Sequence, residues 1–265
     1  MSSPADPVAG GNGPPNGGAI LADIRDEACR LLRAAQAERV PLRLIGGLAV
    51  SHHARGGVHP AVSRECKDID FATAKNASHD VATLLTKLGY EPNPVFNLYN
   101  QATRLLFYDT AHDRQVDVFV GGFAMCHSIP IADRLDVDPE TIPLAELLLT
   151  KLQIVHFNDK DERDTLALLL SHEVGDHDAD AINGRVVAAL CAADWGLWRT
   201  ATLTLERVRD STASYPFDAS EIELVRGRIG VLERLIEEEP KSRKWRMRSR
   251  IGERKRWYEI PDEVE

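Results

Sequence analysis

Apolar side chains recur at helical spacing through Ile20, Ile24, Ala28, Leu31, Leu32 and Ala35, and the run ends near Arg39, before Pro41. Leu42-Arg43-Leu44-Ile45 then reads as a strand, Gly46-Gly47 as its end, and Leu48 to Ala54 as the next helix. Arg55 to Pro60 is loop, Lys67 to Thr73 a second strand, and Ser78 to Leu88 a helix with Ser78 as N-cap and Gly89 as its stop. Two apolar runs, 103–108 and 115–120, flank the polar segment Asp109 to Arg114, which predicts an antiparallel hairpin and therefore a mixed sheet. After Pro143 the pattern is helical throughout, over 143–157, 160–173, 178–194, 195–210 and 218–238, with no repeat period. The predicted class is α/β (α+β), a mixed-sheet module followed by an all-helical C-terminal module.

Composition places boundaries on this pattern. Residues 1–18 are rich in Gly, Pro, Ser and Asn and predict a disordered tail. The sheet module then occupies 19–140, the helical module 141–240, and a basic tail 241–265. At 265 residues and 43% hydrophobic, the chain has enough apolar material to fold without staples. Its four cysteines, Cys29, Cys66, Cys126 and Cys191, form no C-x-x-C pair, so neither a zinc ribbon nor a disulfide framework is indicated, and a reducing cytoplasm is the natural compartment. No apolar run reaches the roughly 20 residues of a membrane span, and the N-terminus lacks a signal-peptide layout, so a soluble, unexported protein with no membrane partner is expected.

Charge changes the picture at one place. The net charge is −9, yet Lys241 to Arg256 holds nine Lys or Arg against one acid, Glu253, with Trp245, Trp257 and Tyr258 among or beside them. A solvated or helix-packing extension is the favoured reading, and RNA contact through phosphates and stacking is the minor one.

The candidate chemistry lies where strands end. Alternate side chains of a strand share a face, so Asp68 and Asp70 project together while Ile69 points to the core. Asp117 interrupts an otherwise apolar run, Val116 to Val120, and an ionised carboxylate there needs a partner. Three such carboxylates suit Mg²⁺, which takes one or two carboxylates together with substrate phosphates. Gly46-Gly47 offers backbone N–H groups and a helix start to an anion, or else is a simple tight turn, and the two readings are evenly matched. No GK[ST] follows, so this is no Walker A loop, and G-x-G-x-x-G is missing, so it is no dinucleotide fingerprint.

Taken in order, G-G-L-A-V-S-H-H, R-E-C-K-D-I-D-F and V-D-V-F resemble nucleotidyltransferases of the polymerase-β-like superfamily, and most closely the AbiEii-type toxin and minimal nucleotidyltransferase branch. That branch typically shows a G-G-x-A-x-x-x-H segment, an R-x-T-x-D-I-D segment and a third Asp on a later strand. The matching positions here are Gly46, Gly47 and Ala49 with His52 or His53, then Arg64, Asp68 and Asp70, then Asp117, with Cys66 where the branch usually has Thr. The likeness continues into IPLAELLLTKLQIVHFNDKDERDTLALL, where Lys151 matches a helix lysine and Lys160, Asp161 and Asp164 match a K-D-x-x-D element. It covers about residues 40–172.

The resemblance implies a nucleotidyltransferase core. In it Asp68, Asp70 and Asp117 would be catalytic metal ligands, and Gly46, Gly47, Arg64, Lys151, Lys160, Asp161 and Asp164 would bind nucleotide. The cofactor would be Mg²⁺, the donor an NTP, with ATP foremost, and the product a nucleotidylated acceptor plus pyrophosphate. RNA, a protein hydroxyl or a small molecule could each be the acceptor, and a toxin role with an antitoxin partner is part of the same implication. Two alternatives stand beside it: a catalytically silent nucleotide- or partner-binding protein, and a metal-dependent phosphodiesterase. Arg64 has two equal readings, phosphate contact or an ion pair with Asp68 or Asp70. Adjacent His52 and His53 cannot share a helix face, so at least one is a surface or packing residue. His156, His172 and His177 lack zinc-ligand spacing and read as structural, and Trp195 with Trp198 reads as helix packing.

Overall fold

The computed structural model describes residues 19–54 and 57–260; the tail expected over 1–18, part of the 55–60 loop and the last five residues lie outside them. α1 (Ile24–Ala37) starts later than its apolar period because Asp23 caps it, accepting from the Arg25 and Asp26 amides. Its buried stripe includes Glu27, whose carboxylate accepts from Arg30, the Tyr90 hydroxyl and the Leu21 amide. β1 (Leu42–Ile45) passes directly into α2 (Gly46–His53), two residues earlier than expected. Gly46 makes this possible, with φ at +73°, a left-handed turn that side chains rarely adopt.

β2 (Ile69–Thr73) begins after Asp68, which sits in the preceding bend. Ser78 does not cap α3 (Ser78–Lys87); a 3₁₀ turn at Lys75–Ala77 feeds the chain into the helix, and Ser78 is its first residue. β3 (Glu91–Pro92) and α4 (Pro94–Asn100) were not foreseen: one is two residues long, and the other buries no side chain and so has no apolar period. Asn93 caps α4 and Pro94 sits in its first turn. β4 (Arg104–Asp109) and β5 (Arg114–Val120) form the expected hairpin.

The five strands order as β1-β2-β5-β4-β3, with β2 and β5 parallel and the other pairs antiparallel. Strand alternation then sorts the side chains. Leu42, Leu44, Ile69, Phe71, Val116, Val118, Leu105 and Phe107 share one face and are all buried in the core. Asp70, Asp117 and Arg104 fall on the other.

β6 (Gly122–Ala124) and β7 (Ser128–Pro130) make a small hairpin, after which helices dominate: α5 (Leu144–Leu152) and α6 (Asp159–Ser171). The helix expected over 143–157 stops at Leu152 because Asn158 caps a fresh one, accepting from the Lys160 and Asp161 amides. The helix expected from 178 starts only at α7 (Gly184–Ala193). Before it, β8 (Val174–Gly175) pairs in parallel with β9 (Ile182–Asn183), and the Asn183 side chain caps α7. α8 (Trp195–Ser211), α9 (Ala219–Glu238) and α10 (Arg243–Ser249) follow. One core cluster runs from Leu31 of α1 through the sheet to Leu148, Leu168, Leu205 and Ile229. No helix among the described residues is long and apolar enough to cross a membrane.

The basic segment is seated rather than loose. Trp245 meets Trp198 edge-on at 5.1 Å, Trp257 meets Trp195 at 6.2 Å, and Arg248 lies over the Trp195 ring at 4.6 Å. Trp257 also donates from its indole to Thr200 Oγ1 at 3.0 Å. Gly196 admits the Trp257 carbonyl, which a Cβ would meet at 2.4 Å. Trp195 and Trp198 thus pack helices, as expected. Trp257→Ala should release this segment: limited trypsin digestion is expected to cut within 243–256 several times faster than in the parent, while α1 to α9 stay protected.

Candidate active site

The central feature is a register. β2 and β5 pair so that Asp70 stands directly opposite Asp117, and Leu106 of β4 stands opposite Asp117 on its other side. Directly paired residues project to the same face, so two carboxylates lie side by side on the sheet. Asp117 is 3% exposed, and both its oxygens are held: Arg104 Nε donates to one at 2.7 Å and Gln115 Nε2 to the other at 2.6 Å. Asp70 is half-buried, and burial, followed by the charge of Asp117, pushes its carboxyl up to about 7. Asp68 is exposed at the edge of this pair, and among the described residues no side chain or amide hydrogen-bonds it.

Both glycines serve close approach. A Cβ on Gly46 would stand 2.4 Å from Asp70 Oδ2, and one on Gly47 would stand 2.1 Å from an Arg64 guanidinium nitrogen and 2.9 Å from Cys66 Sγ. The turn therefore wraps the Asp70, Arg64 and Cys66 side chains. Cys66 fills space beside Gly47 and Arg64, and burial pushes its thiol up.

Arg64 pairs with neither Asp68 nor Asp70. It forms a bidentate pair with Asp164 of α6, Nε to Oδ1 at 2.7 Å and Nη2 to Oδ2 at 2.6 Å. Lys151 of α5 reaches the same Asp164 at 2.9 Å and Asp161 at 3.5 Å. Burial alone would depress the Lys151 ammonium, but the Asp164 and Asp161 carboxylates outweigh it and the net direction is up. Asp164 moves down despite its burial, because Arg64 and Lys151 both favour its charged form. Asp161 and Asp164, three apart, share one face of α6, whereas Lys160 is exposed on its first turn, outside this cluster.

The histidines leave the site. His52 pairs with Glu140 at 2.9 Å, and His53 bonds Thr141 at 2.6 Å with its ring edge-on to His172, all at the far end of α2 from Gly46. Arg104, the partner of Asp117, is the candidate-site residue absent from the sequence expectations. Its signal was the hairpin itself, whose register sets Arg104 opposite Phe119, one alternation along from Asp117.

Among the described residues no group of three His, Cys, Asp or Glu side chains is arranged to hold a metal ion. The donor chemistry nevertheless fits Mg²⁺: two carboxylates facing each other across neighbouring strands suit a hard dication joined by substrate phosphates.

No protein-family model and no curated protein matches the chain. Among solved structures, the solution structure of the antibiotic-resistance factor ANT(2'')-Ia is similar at 13% identity, covering 78% of this chain and 91% of that one with a TM-score of 0.33. A likeness at that level assigns nothing, and the residues themselves carry the chemistry.

Two outcomes follow from the geometry. A carboxyl raised above its ordinary 3.8 keeps a proton in the fold that the unfolded chain has lost, so stability falls as pH rises from about 4 to 7 and the full cost persists above 7. Asp70→Asn should therefore stabilise the protein at pH 8 by on the order of 2 kcal/mol and leave it unchanged at pH 4, read by urea unfolding. Asp164→Asn removes the shared acceptor of Arg64 and Lys151 and should cost about 3 kcal/mol at neutral pH in the same measurement.

Proposed function

We propose that the protein is a Mg²⁺-dependent nucleotidyltransferase that moves an NMP from an NTP, ATP foremost, to an acceptor hydroxyl and releases pyrophosphate. The observation that supports this above all is the register that sets Asp70 against Asp117, with Gly46 closed over the Asp70 carboxylate. Asp70 and Asp117, with Asp68 beside them, would hold the ion, which when bound supplies charge neutralisation for the triphosphate.

The chain's own groups do the rest. The acceptor oxygen bonds to the α-phosphorus, the bond from that phosphorus to the bridging oxygen breaks, and pyrophosphate leaves with the electron pair. The acceptor's proton would pass to Asp117, whose carboxylate Arg104 and Gln115 orient. Gly46-Gly47, at the start of α2, offers amides and the positive end of a helix to phosphate oxygens. Lys151 has three N–H donors, of which Asp164 and Asp161 engage two, and a triphosphate oxygen suits the third. Arg64, locked on Asp164, positions Lys151 through that shared carboxylate. Lys160 would meet the nucleotide only from the exposed side of α6. A toxin-type role with an antitoxin partner rests on the sequence resemblance to the AbiEii branch.

The test is transfer of label from an α-labelled NTP, with Mg²⁺, across total RNA, lysate protein and aminohydroxyl compounds. Asp70→Asn and Asp117→Asn should each lower transfer by at least about 10³-fold while circular dichroism is unchanged, and Asp68→Asn should lower it as well. Full activity in the Asp70 or Asp117 variant would sink this reading. Hydrolysis of nucleic acid without NTP would favour a phosphodiesterase, and nucleotide binding without any transfer would favour a silent protein.

A further inference from the structure

A cavity of about 730 Å³ opens beside the carboxylate pair. Arg104, which donates to Asp117, forms its wall together with Lys75, Phe96, Phe119, Met125 and Ile260, and among the described residues no Asp or Glu lines it. In a chain with a net charge of −9, that lining stands out. The Arg104 guanidinium lies 5.7 Å from the Phe96 ring centre and 5.2 Å from that of Phe119. α4, which contributes Phe96, also leaves Tyr99 81% exposed. Rings interleaved with cations beside a phosphoryl-transfer centre are the pattern that holds bases by stacking.

The second observation is where the basic segment leads. The Glu259 amide donates to the Cys126 carbonyl at 3.0 Å, and the next residue, Ile260, lines the cavity. Upstream, the indoles of Trp245 and Trp257 are turned onto α8, and this leaves Arg243, Lys244 and Arg246 of α10 exposed outward. Arg254, Lys255 and Arg256 are exposed between α10 and the cavity, and the one acid in the stretch, Glu253, is taken by Arg199 at 2.6 Å.

We infer that the exposed cations of 241–256 and the aromatic cavity at Arg104 form one track for a single-stranded nucleic acid, whose backbone lies on the cations and whose terminal nucleoside enters the cavity. The inference rests on the nucleotidyl-transfer reading for what happens at the end of the track: the terminal hydroxyl is then the acceptor. A flat anionic membrane would use the cations but not the cavity, and an acidic peptide would use the charges but not the rings. A polycationic acceptor is disfavoured by Lys75 and Arg104.

The experiment is fluorescence anisotropy of the full-length protein with a dye-labelled, mixed-sequence RNA of about 20 nucleotides over a salt series. The triple variant Arg243→Ala, Lys244→Ala, Arg246→Ala should bind at least about tenfold more weakly and lower the salt slope by about 2, at roughly 0.7 per lost phosphate contact. Phe96→Ala, in the cavity wall over Arg104, should weaken binding about tenfold with the salt slope unchanged, which separates stacking from charge. Undiminished binding in the triple variant overturns the inference. So does equal competition by polyglutamate or by phosphatidylserine vesicles at matched charge. If the triple variant binds RNA as tightly as the parent while the parent transfers label to a non-nucleic acceptor, the track is overturned and the catalytic reading stands. If RNA binds with the expected salt slope but no acceptor is ever labelled, the track stands and the catalytic reading falls.

Discussion

Two carboxylates placed directly opposite each other on neighbouring strands repel, and a sheet keeps such a pair only when something answers the charge. Here the answer is divided. Arg104 and Gln115 hold Asp117 from β4 and β5, while Asp70 is left to take up a proton or a cation. The Asp70 carboxylate in turn presses on Gly46, so the left-handed turn that starts α2 is tied to the same pair. A side chain at Gly46 would have to displace the carboxylate or straighten the turn.

The helical half enters through a second cluster of charges. Arg64 comes from the segment between α2 and β2, Asp164 from α6 and Lys151 from α5, and each depends on the others to remain charged where it is buried. Two cations meet two carboxylates here, and Lys151 also favours the charged form of Asp70. What the cluster fixes is position: the guanidinium fork clamps α6 against the turn at Gly47, and Lys151 is held beside the carboxylate pair by the same Asp164.

What could be read from the sequence was local. The two strands and the Gly46-Gly47 turn were legible from apolar runs and breakers, but the face expected for Asp68 and Asp70 is instead shared by Asp70 and Asp117, because β2 begins only at Ile69. Asp161 and Asp164 stood out only through the resemblance to a K-D-x-x-D element. Partners distant in the chain were not legible. Arg64 was weighed against Asp68 and Asp70 because they are near in sequence, yet its partner lies 100 residues away. Arg104 carried no motif, and its role appears only when the hairpin register is known. β3 and α4 escaped because an element without a buried face leaves no apolar period to detect.

The C-terminal segment shows why composition alone could not choose between packing and binding. A helix-packing extension and a nucleic-acid contact are competing readings of the same residues only if all of them do one thing. In the fold they separate by residue type: the indoles turn inward onto α8, and most of the lysines and arginines face water. The inward rings supply the burial that keeps a strongly basic stretch ordered, and order matters for the charges it carries. Cations fixed at set positions do not lose conformational entropy on meeting a polyanion, whereas a loose basic tail would. The acidic balance of the chain as a whole sharpens the contrast, since the dense run of cations in this segment is set against a net charge of −9.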